Sequence, residues 1–225
     1  MMQRYFITGT DTDVGKTYIT VRLLEAGAAM GLQVQGLKPI AAGASHQEQG
    51  HWVNDDASAL LMASNTGLPL SVLNPIALPL AASPHLAAAQ AGASITVEDT
   101  LARLQPALEQ PAGLTLVEGA GGWLVPINVH QTMADIAIAL GYPVILVVGM
   151  RLGCLNHALL TLQAIRQSGL SCAGWVANTM AQPMAELVDN ILSLQKRIDA
   201  PLLGIMPSDG DHRALVVGLQ QLIAV

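Results

Sequence analysis

The sequence has few cysteines, no long apolar run and no block of basic residues. Its two cysteines, Cys154 and Cys172, form neither a disulfide framework nor a metal-ligand spacing. We expect both to be reduced thiols, since disulfides rarely persist in the cytosol. No apolar run approaches the ~18 residues of a membrane span, although 52% of the residues are apolar. The net charge of −6 argues against non-specific binding to nucleic acid or to anionic membranes.

The amino terminus also lacks a signal-peptide pattern. Residues 1–4 contain no basic segment that leads into an apolar region of ~7–15 residues. Together with the unpaired cysteines, this predicts a cytoplasmic protein.

Residues 5–17 form the most informative stretch. An apolar, β-prone run leads into a loop that ends in Gly15-Lys16-Thr17, and a helical pattern follows. This is the context of a phosphate-binding P-loop, in which backbone N–H groups and a helix N-terminus bind an anion. The usual spacing would place the first glycine at position 10, but the chain has Thr10 there and Gly9 one residue earlier. We therefore predict a variant P-loop in which Lys16 binds the outer phosphates and Thr17 reaches a bound Mg²⁺.

The rest of the chain alternates short apolar runs with helical patterns. We predict further strands over 34–37, 114–117, 143–148, 172–177 and 202–205, and helices over 97–108, 132–140, 183–197 and 215–223. This alternation is typical of an α/β fold with a mostly parallel, twisted sheet and helices on both faces. The length of 225 residues fits one P-loop NTPase-like domain over residues 1–225.

Charged residues at predicted strand and helix ends are candidates for the site. Lys38 ends a strand, at the edge where open α/β sheets bind ligands. Glu118 ends a buried strand ahead of several glycines, where it can order Mg²⁺. Asp55 and Asp56 open a helix, where they either support capping or hold a cation. The helix after Gly153 offers free N–H groups and hence an anion site.

The histidines give weaker signals. His46 and His51 fall in a stretch, 39–53, that we predict to be a polar loop, and both are expected to be solvated. His85 follows Ser83-Pro84, which is typical of a helix start with proline in the first turn. A structural role for His85 is the simpler interpretation.

Seven stretches together resemble the dethiobiotin synthetases, the ATP-dependent carboxylase-cyclases of biotin biosynthesis. They lie in order over 9–17, 36–43, 74–78, 83–85, 117–123, 144–161 and 174–178. The last ~45 residues resemble the family more weakly, chiefly over 200–207. The resemblance implies a homodimeric cytoplasmic enzyme that converts 7,8-diaminononanoate, CO₂ and MgATP to dethiobiotin, ADP and phosphate. A carbamate would take the γ-phosphoryl group, and the second amine would then close the cyclic urea.

The resemblance also implies roles for particular residues. Lys16 and Lys38 would be catalytic, Lys38 by holding the carbamate. Mg²⁺ would be bound by Thr17, Asp56 and Glu118, with Asp56 preferred over Asp55 by its match to the family motif. The nucleotide would contact Asp13, Val14, Gly15, Lys16, Thr17, Tyr18, Asp56, Glu118, Gly119, Ala120, Gly121, Asn178, Thr179, Met206, Pro207 and Ser208. The diaminononanoate would contact Thr12, Lys38, Ala42, Gly153, Cys154, Leu155 and Asn156, the last four from the partner subunit.

Two departures from the family pattern concern substrate binding. Ala42 stands where the family commonly has a hydroxyl residue, and Arg151 stands where a lysine is expected. Two other classes share the general pattern. A positioning ATPase would carry a signature lysine at position 11, where this chain has Asp11. A cobyrinate-amidating enzyme would usually bring a glutaminase domain, for which no length remains.

Overall fold

The protein folds as a parallel sheet between two helical layers. The computed structural model describes residues 2–179 and 184–224. The strands are β1 (Gln3–Gly9), β2 (Val34–Leu37), β3 (Ile40–Ala42), β4 (His46–Glu48), β5 (His51–Val53), β6 (Ile76–Leu78), β7 (Leu114–Gly122), β8 (Val144–Gly149), β9 (Cys172–Asn178) and β10 (Leu202–Met206). The helices are α1 (Lys16–Ala29), α2 (Asp55–Ala63), α3 (Leu70–Leu73), α4 (Pro84–Gln90), α5 (Val97–Glu109), α6 (Met133–Leu140), α7 (Cys154–Gln167), α8 (Leu187–Gln195) and α9 (Arg213–Ile223).

The central sheet has the strand order β10-β9-β8-β1-β7-β2, and all five pairings are parallel. Its middle strands are buried over most of their length because both faces of the sheet are covered. In β1, Phe6 faces the cluster that includes α5 and α6, whereas Ile7 faces the cluster that includes α1 and α9. Helices α7 and α8 pack on β8 and β9 in a third cluster. The predicted α/β fold with helices on both faces is confirmed.

The helix boundaries follow local sequence signals. Thr132 and Asp135 form a reciprocal capping box at the start of α6, and Gly141 ends that helix in the left-handed region with φ 67°. Asn54 caps α2 by accepting a hydrogen bond from the Ala57 N–H at 3.3 Å. Helix α8 begins at Leu187, later than predicted, and Pro183 lies outside the described residues.

The prediction of a polar loop over 39–53 was wrong. Strand β3 pairs in parallel with β6, and β4 and β5 form an antiparallel hairpin with His46 opposite Val53. Gln49 and Gly50 form its turn, both with positive φ, which matches the two-residue hairpin turns that continue the strand twist. The hairpin was missed because its strands are short and polar, so the sequence carries no apolar alternation.

One further observation concerns membranes. Within 2–179 and 184–224, no helix combines the length and the apolar character needed to span a bilayer.

Candidate active site

The parallel strands bring the predicted site residues to one edge of the sheet. Strand β1 ends in the P-loop, β2 ends one residue before Lys38, and β7 contains Glu118. Strands β9 and β10 end at Asn178 and Met206. The carboxyl edge of such a sheet is where ligands bind in open α/β folds.

The P-loop conformation explains the displaced glycine. A Cβ on Gly9 would lie 2.5 Å from Val14 Cγ2 and 3.0 Å from Lys16 Cγ, so the close approach of the loop to its own start requires glycine there. Thr10 has no positive φ and therefore needs no glycine. Gly15 has φ 83°, and a Cβ on it would collide with Asn178 Nδ2. Asn178 Nδ2 in turn donates a hydrogen bond to the Val14 carbonyl at 2.9 Å, which joins β9 to the P-loop.

Lys16 lies folded against its own loop. Its ammonium group donates to the Asp11 carbonyl oxygen at 2.9 Å, and its side chain is largely buried. Burial, and next the nearby charge of Lys38, lower the pKa of Lys16 to about 8. An anion bound in the loop would offset the free-energy cost of burying the charged ammonium group.

Lys38 is buried at the centre of an ionic cluster in which Glu118 is buried and Asp56 is half exposed. Its ammonium donates to Glu118 Oε1 at 2.5 Å and lies 3.4 Å from Asp56 Oδ2. Burial by itself lowers the pKa of Lys38, but the negative charges of Glu118 and Asp56 outweigh it, so the pKa is raised. Lys38 is therefore a charged group at the bottom of the site. The exposed Asp55 is not among its hydrogen-bond partners, so Asp56 is the acid of this pair that reaches the cluster.

The same cluster offers oxygen atoms of the kind that Mg²⁺ prefers. Thr17 Oγ1 donates to Glu118 Oε1 at 2.7 Å, which brings this hydroxyl and the two carboxylates of the Lys38 cluster to one point. Glu118 Oε2 is buried and has no hydrogen-bond partner among the residues that the structure describes. A buried carboxylate oxygen without a partner is costly, and a hard cation with oxygen ligands would satisfy it. The residues present thus fit Mg²⁺.

A cleft of about 800 Å³ opens above this cluster. Eleven of the residues predicted for the site line it: Thr12, Asp13, Gly15, Lys16, Thr17, Tyr18, Lys38, Ala42, Asp56, Ala120 and Gly121. Val14, Glu118 and Gly119 are buried and do not line the cleft. The cleft is large enough for a small substrate beside a triphosphate.

Sequence reasoning missed one wall of the cleft. This wall is formed by Ala41, Asn54, Ala81, Ala82, Ser83, Pro84 and Val125. Ser83-Pro84 was interpreted as a helix start and counted in the family resemblance, but it was given no role in the site, and the alanines carry no chemical signal of their own. Their proximity depends on the parallel pairing of β3 with β6, which the sequence did not reveal.

Ala42 remains tied into the structure through its backbone. Its carbonyl accepts a hydrogen bond from Asn54 Nδ2 at 3.1 Å. The backbone at this position is therefore held in place although the side chain has no hydroxyl group. A methyl group lines the cleft instead.

The other predicted nucleotide contacts lie around the far end of the P-loop. The Thr179 N–H donates to the Met206 carbonyl at 2.9 Å, so the ends of β9 and β10 are joined. The Tyr18 hydroxyl lies 3.0 Å from the Pro207 carbonyl and 2.5 Å from the Gly210 carbonyl. Pro207 and Ser208 are exposed. None of Asn178, Thr179, Met206, Pro207 and Ser208 lines the cleft itself.

The start of α7 lies outside the cleft. Gly153 has φ 94° and precedes Cys154, and the Leu152 side chain is 94% exposed. The four residues predicted to bind a substrate carboxylate, Gly153 to Asn156, are not brought together with Lys38 within one subunit. Arg151 instead forms an ion pair with Asp11 of the P-loop. Arg151 thus contacts the phosphate loop and not the cleft.

Comparison with solved structures supports the fold. The cobyrinic acid a,c-diamide synthase of Mycobacterium smegmatis with bound ADP and magnesium superposes with a TM-score of 0.60 at 15% identity, over 99% of this chain and 94% of that chain. The cell division ATPase MinD of Pyrococcus furiosus gives a TM-score of 0.55 at 16% identity, over 100% of this chain and 99% of the other. At these identities the similarity concerns the fold alone.

Sequence relatives are far more similar. The family described as "AAA domain" matches residues 3–214. The ATP-dependent dethiobiotin synthetase BioD of Cellvibrio japonicus is 50% identical over 203 residues, which is 90% of this chain and 88% of the relative. The enzyme of the same name from Nitrosospira multiformis is 48% identical over 214 residues, 95% of this chain and 92% of the relative. The chain therefore belongs to the family of ATP-dependent dethiobiotin synthetases.

Proposed function

We propose that the protein is an ATP-dependent ligase that carboxylates 7,8-diaminononanoate with CO₂ and closes the ring to dethiobiotin, with release of ADP and phosphate. This is the penultimate step of biotin biosynthesis. The observation that carries the proposal is the buried Lys38 ammonium, which lies beside a P-loop and contacts Asp56 and Glu118. A cation so placed suits a reaction that brings a carbamate next to a triphosphate.

The reaction divides into three steps. One amine of the substrate attacks CO₂, loses a proton and becomes a carbamate. A carbamate oxygen then attacks the γ-phosphorus, and ADP leaves. The second amine attacks the carbonyl carbon of this mixed anhydride, phosphate leaves with the bridging oxygen, and the cyclic urea forms.

Carbamate phosphorylation brings anionic groups together, so positioning and charge neutralisation carry most of the catalysis. Lys38 holds the carbamate near the γ-phosphate. Lys16, whose contact with the Asp11 carbonyl is exchanged for the phosphates, stabilises the transferring phosphoryl group. Thr17, Asp56 and Glu118 would hold Mg²⁺, which supplies positive charge to the phosphate oxygens.

The nucleotide would lie across the P-loop. Its phosphates would contact the backbone from Asp13 to Tyr18 and the turn formed by Gly119, Ala120 and Gly121. Its base would lie near Asn178, Thr179, Met206, Pro207 and Ser208. The hydrogen bond from Asn178 to Val14 supports this arrangement, because it holds the base site and the phosphate site at a fixed distance.

The second substrate would occupy the cleft. Thr12 and the backbone at Ala42 would contact the diaminononanoate there, together with Lys38. We propose that the protein is a cytoplasmic homodimer of single-domain subunits. Gly153, Cys154, Leu155 and Asn156 would bind the substrate carboxylate in the active site of the other subunit, through N–H groups other than that of Cys154, which donates to the Arg151 carbonyl at 2.9 Å. The position of these residues outside their own cleft supports this assignment.

A nucleotide-switched ATPase is the main rival, because MinD proteins share the fold. The discriminating observation is Asp11, whose side chain is paired with Arg151 where such an ATPase would present a lysine. The test measures ADP release with MgATP and bicarbonate, with and without 7,8-diaminononanoate, and follows dethiobiotin by mass spectrometry. We expect equal amounts of ADP and dethiobiotin only when the diamine is present. ATP turnover that ignores the diamine would refute the synthetase assignment.

A further inference from the structure

Tyr18 connects the P-loop helix to the turn that follows β10. It lies directly after Thr17 in the first turn of α1, and its hydroxyl faces two carbonyl oxygens of that turn. The Gly210 carbonyl lies 2.5 Å away and the Pro207 carbonyl 3.0 Å away. A phenol has one proton, so it donates to one carbonyl at a time, and the shorter contact favours Gly210.

The turn depends on its backbone contacts for its position. The Gly210 N–H donates to the Pro207 carbonyl at 3.0 Å and closes the turn on itself. The side chains of Pro207, Ser208 and Asp209 are exposed and add little packing. Thr179 holds the beginning of the turn through the Met206 carbonyl at 2.9 Å. Tyr18 holds its end.

The tyrosine ring is itself fixed. The Arg22 guanidinium lies 5.1 Å from the ring centroid, one helical turn along α1. Arg22 also pairs with Glu25 at 2.7 Å. The hydroxyl therefore projects from an ordered helix face, and the turn takes its position from α1.

The same helix begins in the P-loop, so Tyr18 sets the turn relative to the phosphate site. Asn178, the other predicted contact of the base, is held against the same loop by its hydrogen bond to the Val14 carbonyl. Asn178 and Met206 are register partners in β9 and β10, so strand pairing sets where the turn begins. The Tyr18 hydroxyl sets where the turn ends, and with it the position of the exposed backbone beside the proposed base site.

We propose that Tyr18 is a positioning residue for the nucleotide base: its hydroxyl holds the end of the 207–210 turn, and with it the backbone beside which the base would lie. The inference rests on the proposed function, which places the base between Asn178 and Pro207. It gives the tyrosine hydroxyl no part in phosphoryl transfer. Its loss should therefore weaken nucleotide binding and leave the chemical step unchanged.

Tyr18→Phe tests this proposal, with Tyr5→Phe as its matched control. The Tyr5 hydroxyl also donates to a carbonyl of the carboxyl-terminal segment, that of Leu222 at 3.1 Å, but far from the P-loop. Both variants lose one hydroxyl and keep the ring. The probe is fluorescent N-methylanthraniloyl-ADP with Mg²⁺, whose Kd is measured by titration, alongside KM and kcat for ATP.

We expect Tyr18→Phe to raise the Kd of the probe and the KM for ATP about 3- to 10-fold, the range of one hydrogen bond. Its kcat and its KM for the diamine should stay within about 2-fold, and Tyr5→Phe should change none of these values. An unchanged Kd, an equal rise in both variants, or a loss of kcat at constant KM would overturn the proposal. The binding titration needs no diamine, so its outcome is independent of the synthetase assignment.

Discussion

At the scale of single residues, the proposed site is built on two lysines and one glutamate that the sequence motifs identified. Lys16, Lys38 and Glu118 could each be predicted because they belong to recognisable motifs at the ends of predicted strands, although β7 continues past Glu118 to Gly122. Their mutual contacts could not be predicted, since Lys38 and Glu118 are 80 residues apart. Only the structure therefore shows that Lys38 donates hydrogen bonds to two of the three candidate magnesium ligands, Asp56 and Glu118.

Lys38→Met should abolish dethiobiotin formation. Removing the ammonium that holds the carbamate should lower kcat by about 10²–10³-fold, the usual cost of losing a preorganised electrostatic contact. It should also lower the free energy of unfolding by about 3–5 kcal/mol without Mg²⁺, because Glu118 stays buried without its partner. The chain's exposed Lys196 provides the control, since Lys196→Met removes an ammonium that has no buried partner. Equal losses in both variants, or an active Lys38→Met, would contradict the role.

The lowered pKa of Lys16 predicts that nucleotide binding depends on pH. Its pKa is lowered to about 8 by burial and by Lys38, so its charge is lost from the ligand-free protein as the pH rises through that value. An anionic nucleotide needs the charged form, and its Kd should therefore rise above pH ~8, by up to about tenfold per pH unit. Titrations of N-methylanthraniloyl-ADP across this range measure the slope. In Lys16→Arg, whose guanidinium keeps its proton, the Kd should vary little with pH, and a profile like that of the parent would contradict the assignment.

At the scale of elements, the strand–loop–helix unit of the P-loop and the later strands could be predicted from apolar runs and glycine positions. The β4–β5 hairpin could not, because its polar strands resemble a loop in sequence. The wall of alanines in the cleft could not either, since it depends on long-range pairing of β3 with β6. Elements defined by local patterns are predictable from one sequence, and elements defined by partners are not.

A comparison of Gly15 in the P-loop with Gly31 after α1 distinguishes the effect of backbone strain from that of a steric clash. Gly15 and Gly31 have nearly equal φ values of 83° and 82°, but only Gly15 has a neighbour, Asn178, that an added Cβ would meet. Both substitutions to alanine should cost about 1 kcal/mol of stability from the left-handed backbone. Gly15→Ala should in addition weaken nucleotide binding more than about tenfold, because the loop must move away from Asn178. Thermal unfolding and nucleotide titration of both variants check this, and similar nucleotide affinities would contradict the steric argument.

At the scale of the whole molecule, the alternation of strands and helices predicted the α/β class, while the strand order was not predictable. The same order places the start of α7 outside its own cleft, which makes a second subunit necessary for the proposed substrate site. The homodimer stays a prediction, and the proposed carboxylate contact depends on it.

Subunit mixing tests this requirement. Lys38→Ala disables the cleft, and Leu155→Pro removes one N–H group in the first turn of α7, where proline is tolerated. Each variant alone should be inactive. Random exchange in an equal mixture should restore about a quarter of the normal activity, because half of the dimers then hold one intact site. A mixture that stays inactive, or a fully active monomer in sedimentation, would contradict the shared site.

The central claim is that the γ-phosphoryl group passes to a carbamate oxygen in the cleft beside Lys38. The most direct measurement uses bicarbonate labelled with oxygen-18 in ordinary water, in a short incubation with MgATP and diamine, followed by mass spectrometry of the phosphate. The account predicts one labelled oxygen in each phosphate released, because the bridging oxygen of the mixed anhydride comes from CO₂. Unlabelled phosphate released alongside dethiobiotin would show that ATP is cleaved without phosphorylating the carbamate, and would contradict the account.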